Sequence, residues 1–278
     1  MMTLSGLAAD ALGAFLAEDF LKTFGVREEE YAHGMSTAAR LAMECFGNCD
    51  ALYHNVEHTL LVALAGRDIL RGRMFHERVT ASDWAHFIVA CVAHDIGFVR
   101  GILKGDTATA CVIDPSGRTV TLPRGSSDAS LAPYHVDRSK MFVMERLGGD
   151  GAIFDAERIA EAIEFTRFPP QQPEAPARYP AEAALVRAAD LIGQLGDPCY
   201  LTKANALFCE FREIGLAATL GYGSSADVIE KYPDFFWRSA APHIAPAVRF
   251  LEVTVEGRTW LSHLYSNVFS AGRQTVGA

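Results

Sequence analysis

Residues 85–98, AHFIVACVAHDIGF, constrain this chain more than any other stretch, because a segment apolar on every side ends with a histidine and an aspartate side by side. Thr80 followed by Asp83 has the spacing of a capping box, so the sequence predicts a buried helix that starts there and stops near Gly97. A helix that is hydrophobic all round belongs in a core, and the remaining elements must be built around it. That burial puts His94 and Asp95 in question, since an unpaired buried charge costs several kcal/mol. A divalent cation is one compensator; a satisfied core histidine beside an ordinary helix-end aspartate is the plainer reading. Further ligands elsewhere in the chain decide between the two.

Half of the 278 residues are hydrophobic, enough to bury the core of one large domain or two small ones. No run approaches the ~20 apolar residues of a membrane span, and the N-terminus lacks the basic start and cleavage site of a signal peptide, so the expectation is a cytoplasmic protein with no membrane partner. Cys45, Cys49, Cys91, Cys111, Cys199 and Cys209 form no CxxC pair, which argues against a zinc ribbon or a disulfide framework. A net charge of -9 argues against nucleic acid as a partner and leaves room for a local basic pocket that holds one phosphate.

Apolar positions recur at helical spacing from Leu4 to Phe24, with Asp10, Glu18 and Asp19 on the other face, and again from about Glu28 to Phe46, where Gly47 and Asn48 end the pattern. The next helical pattern, from LYHNVEHTLLVAL (52–64) to about Arg73, carries His54 and His58. If its helix begins at Asp50, the two histidines stand four apart on one face. If Asn55 is the N-cap, His54 lies just before the helix and His58 in its first turn. Either geometry brings two imidazoles to one spot, where one can ligate a metal and the other donate a proton.

His54, His58, His94, Asp95 and, much later, Asp190 resemble the H…HD…D signature of the HD-domain metal-dependent phosphohydrolases. Tyr53-His54-Asn55 with His58 is similar to the YHNxxH signature of the cyclic-nucleotide phosphodiesterase branch, and Ala189-Asp190-Leu191 with Pro198 is similar to that branch's ADL segment. The matched motifs run from Tyr53 to Pro198, about half the chain. The resemblance implies an all-α HD/PDEase-like domain in which His58, His94, Asp95 and Asp190 ligate a metal and His54 is the proton donor, with Asp95 also contributing to catalysis as a bridge to a second ion. The implied cofactor is one or two divalent ions drawn from Mn, Mg, Fe, Zn and Ni, since imidazole and carboxylate suit several metals. Between Asp95 and Asp190 the chain has only His135, which the resemblance makes an outer-shell or second-metal residue, so a second ion would be mostly water-coordinated.

The chain departs from that branch after Asp95, where it reads Ile96-Gly97-Phe98-Val99-Arg100-Gly101 in place of a further histidine and a Pro-Gly. Residues 110–123 read as two short β runs around an Asp-Pro-Ser-Gly turn, an inserted hairpin that serves as a pocket wall or as surface decoration. His135 precedes a helix ending at Gly148-Gly149, and a helix from Asp155 to Thr166 carries Glu161 and Glu164, outer-shell acids or a solvated face. The Pro-rich stretch 168–180 reads as a loop within one domain, because Pro180 starts the next helix. Helical patterns follow at Leu201–Leu220 and Val228–Val253, with Tyr232, Phe235, Phe236 and Trp237 read as core. The expectation is therefore a single domain over residues 1–278, with N- and C-terminal helical extensions, that hydrolyses a small phosphoester of nucleotide-like chemistry. Arg100, Lys104 and Arg167 are the candidate phosphate-binding residues. An HD-type iron-dependent oxygenase and a non-catalytic nucleotide-binding sensor are the alternatives.

Overall fold

A computed structural model describes residues 3–149, 151–169 and 177–276, the side chains of 274–276 excepted. Helices α1 (Leu4–Phe24) and α2 (Glu29–Phe46) form a hairpin packed on the bundle formed by α3 (Val56–Arg73), α4 (Ala81–Ala93), α5 (His135–Leu147), α6 (Ala156–Glu164) and α7 (Pro180–Leu195). The chain then continues through α8 (Ala204–Glu213), a short α9 (Leu216–Thr219), α10 (Ser225–Phe235), α11 (Ala241–Leu251) and α12 (Val255–Val276). The fold is all-α with one small inserted hairpin, and among the described residues no helix is long and apolar enough to cross a membrane. The stretch 168–180 lies largely outside the described residues; where description resumes, Pro180 opens α7.

The middle of the bundle is α4. Both halves of its capping box form: Thr80 Oγ1 accepts from Asp83 N–H, and Asp83 Oδ2 accepts from Thr80 N–H. Every residue from Trp84 to Ala93 is buried, against α2, α3, α6 and α7. The helix stops at Ala93, four residues short of Gly97, where the apolar pattern alone would end it. His94 caps it, and a 3-10 turn at Ile96–Phe98 follows. Packing explains the early stop, because Gly97 lies so close to α5 that a Cβ would sit 1.9 Å from the His135 carbonyl oxygen. The Gly97 N–H donates to Ser139 Oγ at 2.8 Å. A second close approach joins α3 to α7, where a Cβ on Gly193 would meet the Val62 backbone at 2.8 Å.

The hairpin pairs β1 (Ala110–Val112) antiparallel with β2 (Thr119–Thr121), Cys111 opposite Val120. Asp114 Oδ1 accepts from the Ser116 N–H inside the turn, and Gly117 takes the positive φ that the turn requires. Fully buried Arg138 on α5 anchors it by donating to the carbonyls of Val112, Gly97 and Val99 while pairing with Asp106. The C-terminal helices depart from the two long patterns expected. One breaks into α8 and α9. The other is interrupted by a π-helical turn at Phe236–Ala240, beside prolines 233, 242 and 246, which have no N–H to give the ladder. Tyr232 and Phe236 are buried as expected, but Trp237 is half-exposed.

A buried histidine and carboxylate cluster as the candidate functional site

Asn55 is the N-cap of α3: its side chain accepts from the N–H groups of Glu57 (2.9 Å) and His58 (3.3 Å), and it donates to the Leu52 carbonyl. This resolves the two sequence geometries, placing His54 just outside the helix and His58 in its first turn. His94 and Asp95 come from the end of α4 and Asp190 from the middle of α7. The four residues converge. His58 Nε2 is 3.2 Å from Asp95 Oδ2 and 3.4 Å from Asp190 Oδ1, and His94 Nε2 is 3.0 and 3.4 Å from the same two oxygens.

The tautomers are legible from the partners. His94 Nδ1 lies 2.8 Å from the Cys91 carbonyl, which can only accept, so Nδ1 carries a proton and Nε2 is the nitrogen turned toward the two carboxylates, free to ligate a cation when deprotonated. Buried His58 Nδ1 and Nε2 and His94 Nε2 have no hydrogen-bond partner. Burial opposes charge on all of these groups, yet His94 is held well above the usual imidazole range by Asp95 and Asp190, and both acids are held below the usual carboxylate range by His94 and His58. Ionised oxygens facing imidazole nitrogens at 3.0–3.4 Å, largely withdrawn from water, are stabilised by positive charge, which a protonated His94 or a bound cation can supply. His58, His94 and Asp190 offer ligand atoms within 4.8 Å of one another, as do His54, His58 and Asp95, so the cluster can hold a metal ion.

His135 is the first residue of α5 rather than lying before it. Its Nδ1 donates to the Ala132 carbonyl, and its Nε2 lies 3.4 Å from Asp95 Oδ1, the oxygen that the other imidazoles do not face. Burial keeps its pKa below the usual value, so it presents a neutral ring. The Phe98 ring stacks between His54 (centroids 4.4 Å apart) and His135 (4.6 Å), holding them on its two faces.

Sequence reasoning missed Glu210 on α8. Its carboxylate accepts from the N–H groups of Tyr53 (2.6 Å) and His54 (3.2 Å), and Oε2 lies 2.6 Å from His54 Nδ1. Burial alone would lower the His54 pKa, but the Glu210 carboxylate raises it to about 9. The available signal was an acid set between Cys209 and Phe211 in an apolar stretch, where an unpartnered carboxylate is costly.

The expected phosphate-binding residues are placed otherwise. Arg100 is tied to Asp128, Asp50 and the Ser126 carbonyl, and Arg167 to Glu164 and Asp137. Both guanidiniums already face carboxylates through Nε and Nη2. Lys104 is exposed on the loop before the hairpin. Glu161 accepts from the Arg178 N–H and Glu164 pairs with Lys140 and Arg167, so neither acid reaches the histidines.

No curated protein and no solved structure matches the chain. A family model described as Npun_R2479-like matches residues 3–274, and by that match over nearly its whole length the chain belongs to the Npun_R2479-like family.

Proposed function

We propose that this protein is a metal-dependent phosphohydrolase of HD-domain type, acting on a nucleotide-like phosphodiester or phosphomonoester. The observation that carries this reading is the set of buried, unpartnered imidazole nitrogens of His58 and His94, aimed at the ionised carboxylates of Asp95 and Asp190. When bound, a divalent ion supplies Lewis acidity and lowers the pKa of water at neutral pH. The chain's own residues divide the remaining work. Glu210 engages His54 Nδ1, which leaves Nε2 as the nitrogen free to carry a proton to the leaving oxygen. Phe98 stacks on the His54 ring and fixes its angle, and His135 Nε2, 3.4 Å from Asp95 Oδ1, is with Asp95 the residue pair that would hold a second ion. Phosphomonoesters, cyclic nucleotides and other diesters offered to Mn-loaded protein test the reading, with a diester expected to be cleaved fastest. Much faster monoester cleavage removes the diesterase half and keeps the hydrolase. Hydrolysis of nothing, with oxygen uptake by iron-loaded protein, replaces it with an oxygenase.

A further inference from the structure

Of the arginines withdrawn from solvent, Arg67, Arg71, Arg73, Arg138, Arg158 and Arg167 each pair with a carboxylate. Arg187 has no carboxylate partner among the described residues. It stands on α7 three residues before Asp190, so the two side chains leave the same face of the helix about one turn apart. Its contacts orient the guanidinium without neutralising it. Nε donates to the Phe165 carbonyl, the guanidinium carbon lies 5.2 Å from the centre of the Phe165 ring, and Nη1 is 3.4 Å from Nδ1 of His243 on α11. Burial and the neighbouring Arg187 hold the His243 pKa down, so that ring faces the guanidinium as a neutral acceptor.

Arg187 is thus a half-buried, braced cation: burial lowers its pKa from the usual guanidinium value, Asp190 opposes that, and a guanidinium keeps its charge in a protein. Asp190 is also a ligand in the proposed metal cluster, where its charge is shared with the ion. What Arg187 then lacks is an anion of its own, in the same way that the histidine cluster lacks a cation. We infer that Arg187, oriented by Phe165 and His243, is the residue that binds a non-reacting phosphoryl oxygen of the substrate beside the metal cluster, an assignment that rests on the phosphohydrolase reading above. A planar fork held in advance suits phosphate geometry, and the stacked ring and the carbonyl fix its orientation before a ligand arrives.

Calorimetric titration of inorganic phosphate into Mn-loaded protein tests the assignment. Arg187→Met should weaken phosphate binding ~10-fold or more at full metal content, and Arg187→Lys should fall between, since it keeps the charge and loses the fork. Arg249→Met, which removes an exposed charge from α11, should bind phosphate as wild type does. On a hydrolysed ester, the Arg187→Met defect should appear more in KM than in kcat. In the wild-type protein, phosphate should protect Arg187 from a dicarbonyl reagent, read residue by residue by mass spectrometry, which keeps the test available if a variant does not fold. Unchanged phosphate affinity in Arg187→Met, or no protection of Arg187, overturns the assignment while leaving an active hydrolase in place. Arg187-dependent phosphate binding by a protein that cleaves no phosphoester keeps the anion subsite and removes the hydrolase reading.

Discussion

Two buried polar clusters share the same pair of helices and are built in opposite ways. Where α4 begins and α7 begins, Arg158 donates through Nε to Glu182 (2.9 Å) and through Nη2 to both Glu182 and Asp83, beneath the ring of Tyr179. Asp83 also accepts from the Thr80 N–H and hydroxyl. Every charge there is answered from within the chain. Where α4 ends, and just over two turns along α7 from Glu182, the His58, His94, Asp95 and Asp190 cluster is equally buried and leaves three ring nitrogens without a partner. The first arrangement is what a bundle needs to fix the register of two helices. The second leaves ring nitrogens without a hydrogen bond beside two carboxylates, an arrangement that is able to hold a metal ion.

The largest difference between the clusters should appear when each is broken. His94→Ala or Asp190→Ala should lose its metal by elemental analysis, along with the rise in Tm that Mn gives the wild-type protein, since an ion that binds only the folded form stabilises it by about 4 kcal/mol at a thousandfold excess over Kd. Full metal occupancy in either variant contradicts the ligand assignment. Arg158→Met should show the reverse: metal content unchanged, and stability in urea reduced by ~3–5 kcal/mol, because Glu182 is left buried without its cation.

The contrast also marks how far the sequence could be read. The capping box at Thr80, the apolar run of α4 and the ordered His54, His58, His94, Asp95 and Asp190 are local patterns, and the structure forms each helix that carries them. Asn55 as N-cap was one of two readings, settled only by where the chain enters α3. Glu182 and Asp83 look like ordinary first-turn acids, and nothing local says that Arg158 will reach both. Glu210 meets His54 across 156 positions. The early stop of α4 depends on how closely Gly97 meets α5, and the π-helical turn at Phe236 on prolines whose effect on the register emerges only in the packed helix. α12 was legible only as a C-terminal helical extension without bounds. Long-range partners of single polar residues are what one-dimensional spacing cannot supply.

Within the candidate metal cluster, a smaller effect separates donor from ligand. His54→Ala should keep its metal and lose ~100-fold or more in turnover on an alkyl phosphoester, whose leaving alkoxide needs a proton, while being largely spared on a nitrophenyl ester, whose phenolate departs without one. Glu210→Gln, which removes the charge that orients the ring, should shift the same ratio of rates in the same direction but less. Equal losses on both esters together with loss of metal would make His54 a ligand.

The smallest expected signal is a slope rather than a level, and it belongs to a third cluster, answered from within like that of Arg158. Asp19 on α1 receives Arg67 Nε and Nη2, both at 3.1 Å, and Arg71 Nη2, joining the α1 and α2 hairpin to α3. Burial alone would raise the Asp19 pKa, but the two guanidiniums bring it below the usual carboxylate value. A carboxyl whose folded pKa is depressed stabilises the fold fully above its unfolded value of about 3.9, and that contribution is lost as pH falls through the lower folded value. Asp19→Asn cannot titrate there. In urea titrations the wild-type protein should therefore exceed Asp19→Asn in stability at pH 6, with the gap narrowing only once the pH drops below about 4. The other acids held low by arginines, such as Asp83 and Asp106, titrate alike in both proteins and cancel in the difference. A gap that stays constant down to pH 2 would mean that the amide loses hydrogen-bond geometry by the same amount at every pH and that the charge of Asp19 contributes nothing, and no gap at all would mean that an amide holds α1 equally well.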